Sequence, residues 1–393
     1  MLSIKNFEFR TPQRILYGLG CYKKIAELIK EMNAENILLV TGKKVIEMNY
    51  MKEIINSIKN MNINIEIFNE IPKEPEMNFV YNGLKIYEEN DCELILAIGG
   101  GSIIDTAKGI ALLATNGGSL KDYEGLEKIP KPQAPLIAVP TTAGTGSEVT
   151  KFTVITDTER KRKMLIGSVN IIPKIAIVDP LLTISMSQDI TMSTGMDALT
   201  HAIEAYISIK AQPITDLLAI EAIKLISKYL RRAWANGEDI EARDKVMLGS
   251  LLAGLAFSNS SVALVHGMAR PLGAYFNIPH GLSNAILLPH VMEFTYISNP
   301  EKFMNIALFM NEKIERLSLI EAAKLSVEAV KKICKDIKVP SLKDIGIKEE
   351  ELNKIAQKMA EEAIASGSPA NNPRKASIEE IIEIYKKAFH GFK

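Results

Sequence analysis

Cysteine is scarce in this chain: Cys21, Cys92 and Cys334 are odd in number and far apart, with no C-x-x-C pair among them. Such spacing excludes a disulfide framework and a thiolate metal site, and it fits a reducing compartment. Net charge is lacking too, because 47 Lys and Arg balance 47 Asp and Glu. No global basic field then recommends nucleic acid or an anionic membrane as a partner. No apolar run approaches the ~18 residues of a membrane span, and MLSIKNFEFRTPQRILYG lacks the apolar centre of a leader. A cytoplasmic protein is the expectation. Fixed-period repeats and low-complexity tracts are also missing, which argues against a solenoid.

What is present is enough for a sizeable folded protein. A chain of 393 residues, 47% hydrophobic and 24% charged, is too long for one ordinary core and has no sign of disorder. Its two halves have different periods. Up to about residue 183, short β-branched runs such as NILLVTG (36–42), INIEIF (63–68), ELILAIGGG (93–101), PLIAVPTT (135–142) and KIAIVDP (174–180) alternate with amphipathic stretches. That rhythm predicts a Rossmann-like α/β domain over 1–185, with a parallel sheet and crossover helices. Beyond it, strand signals fade and helical periodicity runs to the C-terminus, predicting an all-α domain over 186–393. Ser318 to Glu321 and Ser377 to Glu380 have the form of capping boxes and place helix starts there.

Four of the chain's five histidines fall between Gly195 and His290. Asp197 and His201 stand four apart in TGMDALTHAIEAY, so a helix projects both from one face. His266 and His280 complete a candidate set of one carboxylate and three imidazoles, the donor types that bind zinc or iron. Pro279 and Gly281 bracket His280 and place a new helix after a tight bend. A lone histidine on an apolar helix is more often core than ligand, and the structural reading stands beside the metal reading on spacing alone. His290 reads as structural, and His390 as a solvated residue of the C-terminal tail.

Two strand ends carry glycine. In ELILAIGGGSIIDTAK a buried strand turns through Gly99, Gly100, Gly101 and Ser102 into a helix, where backbone N–H groups and the helix dipole suit a phosphate. It is not the G-x-G-x-x-G fingerprint, and a plain strand-to-helix turn would look alike. The second end, VPTTAGTGSEVT, adds the hydroxyls of Thr141, Thr142, Thr145 and Ser147. Glu148 is expected to hold this loop. Lys163 is either a partner of a cofactor phosphate or ribose or, by charge alone, a solvated side chain.

GGGSIIDTAK (99–108), PTTAGTGSEVT (140–150), TGMDALTHAIEAY (194–206), HGMARPLGAYFNIPHGLSNAILLPH (266–290) and NPR (372–374) resemble, in order and spacing, the iron-containing or group III alcohol dehydrogenase family. The resemblance is strongest to its lactaldehyde reductase and 1,3-propanediol dehydrogenase branch. It implies the fold shared with dehydroquinate synthases, a dinucleotide-binding domain followed by a helical metal-binding one. It implies that Asp197, His201, His266 and His280 bind a divalent ion between the domains, usually Fe2+, with Zn2+ or another ion as alternatives. A hydride then passes between NAD(P)(H) and a small alcohol or aldehyde. Gly99 to Ser102 would hold the pyrophosphate, and Thr141, Thr142 and Thr145 would line the adenosine and ribose side. Lys163 matches a lysine near the cofactor ribose. Phe152, Phe257 and Arg270 fall at positions bordering the cofactor and substrate pocket. Relatives are commonly dimers or larger, so a homodimer or larger homo-oligomer is implied, and Ile15 to Tyr17 is either an interface strand or an edge strand.

Two departures qualify the resemblance. Many NAD-using relatives carry an aspartate after the first nucleotide-binding strand, where it accepts the ribose 2′-OH. Here Gly42 stands in that place, and NADP(H) is expected over NAD(H), with Lys43 or Lys44 available to the 2′-phosphate. Arg270 replaces a histidine that close relatives often have near the substrate. Arginine cannot act as a base, so protons are expected to leave by water or the cofactor ribose hydroxyl. Three rival readings remain: a glycerol dehydrogenase-like polyol enzyme with zinc, a dehydroquinate synthase-like lyase, and a non-catalytic nucleotide-binding protein. The Asp plus three His set argues against the lyase, whose metal set resembles Glu plus two His.

Overall fold

The computed structural model describes residues 6–71, 74–160 and 162–392. The described residues divide into two compact units, Arg10–Ser185 and a second running from Met186 onward, which also takes in residues 6–9. Glu8 is tied to the second unit by Gln212, whose Nε2 donates to the Glu8 carbonyl at 3.3 Å.

In the first unit, strands β1 (Arg14–Tyr17), β2 (Asn36–Thr41), β3 (Asn64–Phe68), β4 (Leu94–Gly99), β5 (Gly125–Leu126), β6 (Leu136–Pro140), β7 (Phe152–Asp157), β8 (Arg162–Gly167) and β9 (Ile175–Val178) alternate with helices α1 (Ile25–Glu31), α2 (Asn49–Lys59), α3 (Met77–Glu89) and α4 (Gly101–Asn116). Six strands make a sheet ordered β1-β9-β6-β4-β2-β3, parallel at every pairing. All six residues of β4 are buried, as a central strand covered on both faces requires. Its alternate side chains enter different cores: Ile95 and Ala97 pack with Leu38, Val40 and Ile110, whereas Leu94, Leu96 and Ile98 pack with Ile37, Leu39 and Ile25. β1 is an edge strand, paired only with β9 among the described residues.

The order in which strands are added reverses between β2 and β4, since β3 lies outside β2 while β6 and β9 lie beyond β4. In open α/β sheets that switch point is where ligands bind, at the carboxyl ends of the strands. Thr41 is paired with Ile98, so Gly42 and Gly99 leave the sheet side by side there.

A feature absent from the sequence expectation is a separate three-stranded sheet, ordered β5-β8-β7. β7 and β8 form an antiparallel hairpin running from Phe152 opposite Gly167 to Asp157 opposite Arg162.

The second unit is helical: α5 (Gln188–Ile207), α6 (Pro213–Ala235), α7 (Ile240–Asn259), α8 (Leu264–Phe276), α9 (His280–Thr295), α10 (Pro300–Phe309), α11 (Leu319–Asp336), α12 (Glu349–Ala365) and α13 (Ile378–His390). Both expected capping boxes form, at the starts of α11 and α13. His390 is the last residue of α13 rather than part of a tail, although it is exposed. α5 is buried along most of its length, and Gly195 lets α6 approach: a Cβ there would lie 2.2 Å from Leu230 Cδ1. No single described helix is long and apolar enough to cross a membrane.

Candidate active site

The two glycine-bearing strand ends meet at the start of α4. Thr141 N–H donates to the Gly99 carbonyl at 3.0 Å, carrying the β4–β6 ladder one residue past the sheet. A Cβ at Gly101 would lie 2.7 Å from Thr145 Cγ2, and one at Gly100 would lie 3.5 Å from Thr142 Cγ2. The threonine loop therefore closes directly over the glycine turn. No side chain caps α4, whose first backbone N–H groups keep their capacity to bind an anion.

A buried network locks this loop. Lys108 on α4 is fully enclosed, and its Nζ donates to Thr150 O at 2.9 Å, Thr150 Oγ1 at 3.2 Å and Phe152 O at 2.8 Å. One turn earlier, Asp105 accepts from Ser147 Oγ at 2.5 Å and Val154 N at 2.9 Å. Burial lowers the Lys108 pKa to about 8, partly offset by Asp105 and Glu148. Glu148 is buried as well and is pushed up to about 7, chiefly by burial. Lys163 lies on β8, where its Nζ pairs with Glu74 Oε2 at 2.7 Å, so it is neither solvated nor without a partner. Phe152 begins β7, its ring against Gly167.

In the helical unit, Asp197, His201 and Glu204 follow one face of α5 at i, i+4 and i+7. His266 comes from the first turn of α8. Asn277, in the left-handed region at φ 55°, ends α8, and Pro279 leads into α9, whose first residue is His280. Gly281 lets this start lie against α5, because a Cβ there would sit 2.5 Å from Ser193 O and 3.3 Å from Asp197 Cβ.

These elements bring the four expected residues together. Ligand atoms of Asp197, His201 and His266 lie within 4.8 Å of one another. Nε2 of His266 and of His280 stand 3.7 and 3.9 Å from Asp197 Oδ1. At the point of convergence sits Asn284 Nδ2, 2.6 Å from Asp197 Oδ1, 3.1 Å from His266 Nε2 and 3.2 Å from His280 Nε2, while its own Oδ1 is buried with no partner among the described residues. Acceptor lone pairs from three helices thus aim at one place, the arrangement a cation needs. His201 stacks between Phe257, 4.1 Å away, and His266, 4.4 Å away, so Phe257 is a wall of the cluster.

Sequence reasoning missed Glu204 and Asn284. Glu204 accepts from Val265 N through Oε1 at 2.6 Å, and its Oε2 lies 2.6 Å from His266 Nδ1. A proton on Nδ1 held by this carboxylate leaves the Nε2 lone pair directed at the cluster. Burial, aided by the charge of Arg270, lowers the His266 pKa to about 3 and keeps the ring neutral. Burial raises Asp197 to about 7, with the Asn284 hydrogen bond opposing, and it raises Glu204 to about 7 against backbone N–H donors. The signals that would have found both residues are their helical offsets, three after His201 and four after His280. His290 is buried, stacked on Phe392 at 5.4 Å, and takes no part in the cluster.

Family models match the sequence of both units. Residues 12–180 match the model for iron-containing alcohol dehydrogenase, and residues 191–389 match that for the C-terminal part of the Fe-containing alcohol dehydrogenase family. The 1,3-propanediol dehydrogenase of Citrobacter freundii is 40% identical over 99% of this chain and 100% of its own length. The lactaldehyde reductase of Escherichia coli strain K12 is 37% identical over 95% of this chain and 97% of its own. A crystal structure of a 1,3-propanediol oxidoreductase superimposes with a TM-score of 0.95 at 40% identity, covering 98% of this chain and 100% of that one. The chain therefore belongs to the iron-containing alcohol dehydrogenase family, oxidoreductases of alcohols and aldehydes.

Proposed function

We propose that this protein interconverts short aldehydes and alcohols using NADP(H) in preference to NAD(H), with Asp197, His201, His266 and His280 holding a divalent ion, Fe2+ first among the alternatives. The observation that carries the reading is that the Asp197 carboxylate gathers the imidazoles of His201, His266 and His280 around it. Neutral imidazoles and a carboxylate suit a divalent ion of intermediate softness, and the donor Asn284 Nδ2 among them marks where positive charge is welcome. Such an ion, when bound, supplies Lewis-acid polarisation of a carbonyl or hydroxyl oxygen.

The chain's own residues do the rest. Glu204 fixes the tautomer of His266, and Phe257 shields the cluster from one side. Gly99 to Ser102 and the start of α4 suit the pyrophosphate, with Thr141, Thr142 and Thr145 beside it. Lys163 is held by Glu74, and reaching a cofactor ribose would require that pair to open. Arg270 keeps its proton at working pH, so proton exchange with bulk passes through water or the cofactor ribose hydroxyl.

The cofactor preference rests on Gly42. Gly42, Lys43 and Lys44 directly follow β2 with no carboxylate among them, and the Gly42 carbonyl accepts from Val45 N and Ile46 N at 3.0 Å each, making a tight turn with Lys43 and Lys44 exposed. A Cβ at Gly42 would meet Ile103 Cδ1 at 3.8 Å, ordinary contact, so Gly42→Asp is sterically permitted. Steady-state rates under anaerobic conditions with Fe(II), a panel of short aldehydes and either NADPH or NADH test the whole reading. A higher kcat/KM with NADPH is expected, and Gly42→Asp should reverse it. Equal or better use of NADH by the unmodified protein defeats the preference, and no turnover with either cofactor defeats the reading.

A further inference from the structure

Arg270 lies one helical turn after His266 on α8, and its guanidinium makes no hydrogen bond or ion pair among the described residues. Five N–H donors in a rigid fork are rarely left without acceptors when a side chain is partly enclosed. The obvious internal partner is committed elsewhere: Glu204, the one carboxylate that shifts the Arg270 pKa upward, spends Oε1 on Val265 N and Oε2 on His266 Nδ1. Arg270 as a whole residue is only partly buried. It stands four residues after His266 on α8, and its charge acts on that imidazole.

We infer that Arg270 is a specificity residue, and that the substrate it selects is a short aldehyde or alcohol bearing a terminal oxyanion, carboxylate or sulfonate, which its guanidinium grips in a bidentate fork. This deepens the oxidoreductase reading above and rests on it. Residues one helical turn apart have Cβ atoms about 5–6 Å from each other, so a carbonyl at the Asp197–His cluster and an anion on Arg270 call for a spacer of roughly two to three carbons. The anion is a spectator in the chemistry. The aldehyde carbon gains a hydride from the reduced nicotinamide and the oxygen gains a proton from water, giving the hydroxy acid and the oxidised nicotinamide. A neutral aldehyde leaves the fork without acceptors and forfeits that interaction.

The test compares butanal with the four-carbon aldehyde that carries a terminal carboxylate, and with a sulfonate analogue, in the metal-loaded enzyme. The unmodified protein is expected to favour at least one anion over butanal by roughly ten- to a hundredfold in kcat/KM, and the two anionic arms tell carboxylate from sulfonate. Arg270→Gln should collapse that ratio, mainly through KM, while Arg270→Lys should keep part of it. A ratio near one, or a ratio unchanged in Arg270→Gln, overturns the inference and leaves the oxidoreductase reading standing. Should no aldehyde be turned over, the function falls, and calorimetric titration of butyrate and a propyl sulfonate into the metal-free protein decides the inference separately. Binding that Arg270→Gln abolishes upholds it, and the absence of binding overturns it.

Discussion

Glu204 is chemically an ordinary helix glutamate until α8 packs against it. Its offset from His201 put it on the right face, but nothing in HAIEAY distinguishes a carboxylate that faces an imidazole from one that faces solvent. The Asp197 and His201 pair, by contrast, was legible because both residue types are uncommon on a buried face. Glu204→Gln should weaken divalent metal binding by about 10- to 100-fold, measured by competition with a fluorescent chelator. An affinity unchanged by that substitution would mean that His266 is oriented by packing alone. His290 offers a test at the same scale. Burial lowers its pKa from 6.5 to about 4, so its neutral form contributes stability that is complete above pH 6.5 and is lost as pH falls through about 4. Replacing it by Phe preserves the stacking on Phe392 and should remove up to about 3 kcal/mol of that acid-side loss, read from denaturant midpoints across pH 4 to 7.

At the level of elements, the six parallel strands announce themselves through apolar runs of strand length, whereas the β7–β8 hairpin does not. Its turn has no Asn-Gly or Asp-Gly pair. Instead Asp157 builds it, accepting from Glu159 N and Arg160 N at 3.0 Å each, with the Arg160 guanidinium closing on the same carboxylate. A single Asp is a weak turn signal, because the same side chain serves helix caps and solvated faces as well. Helix α4 shows the same limit, since GSIIDTAKGIA reads as an amphipathic helix while Lys108 is wholly buried on the face that meets β7 and the threonine loop. Lys108→Met strips the donor from two buried carbonyls and leaves Asp105 without its positive neighbour. It should cost about 2–4 kcal/mol in equilibrium unfolding and raise KM for the nicotinamide cofactor more than it lowers kcat. Unchanged stability would show that the methylene stem alone fills the space.

For the molecule as a whole, the donor cluster and the glycine turn lie in different units. A divalent ion at 100 times its Kd adds about 2.7 kcal/mol to the folded state. For a unit of this size that is roughly 5–10 °C in Tm by calorimetry, removed by chelator and absent in Asp197→Asn. A shift that persists in Asp197→Asn would place the ion elsewhere. The sequence by itself determined the two fold classes, the parallel strands and the glycine turn, and it offered the Asp and three His residues as a candidate set, because periodicity and rare residue types are local properties. Only the tertiary structure decided that Asn284 stands at the point of convergence, that Glu204 serves His266, and that Arg270 is left without an acceptor. Those facts depend on which side chains compete for the same donor, and that competition exists only once distant helices are packed together.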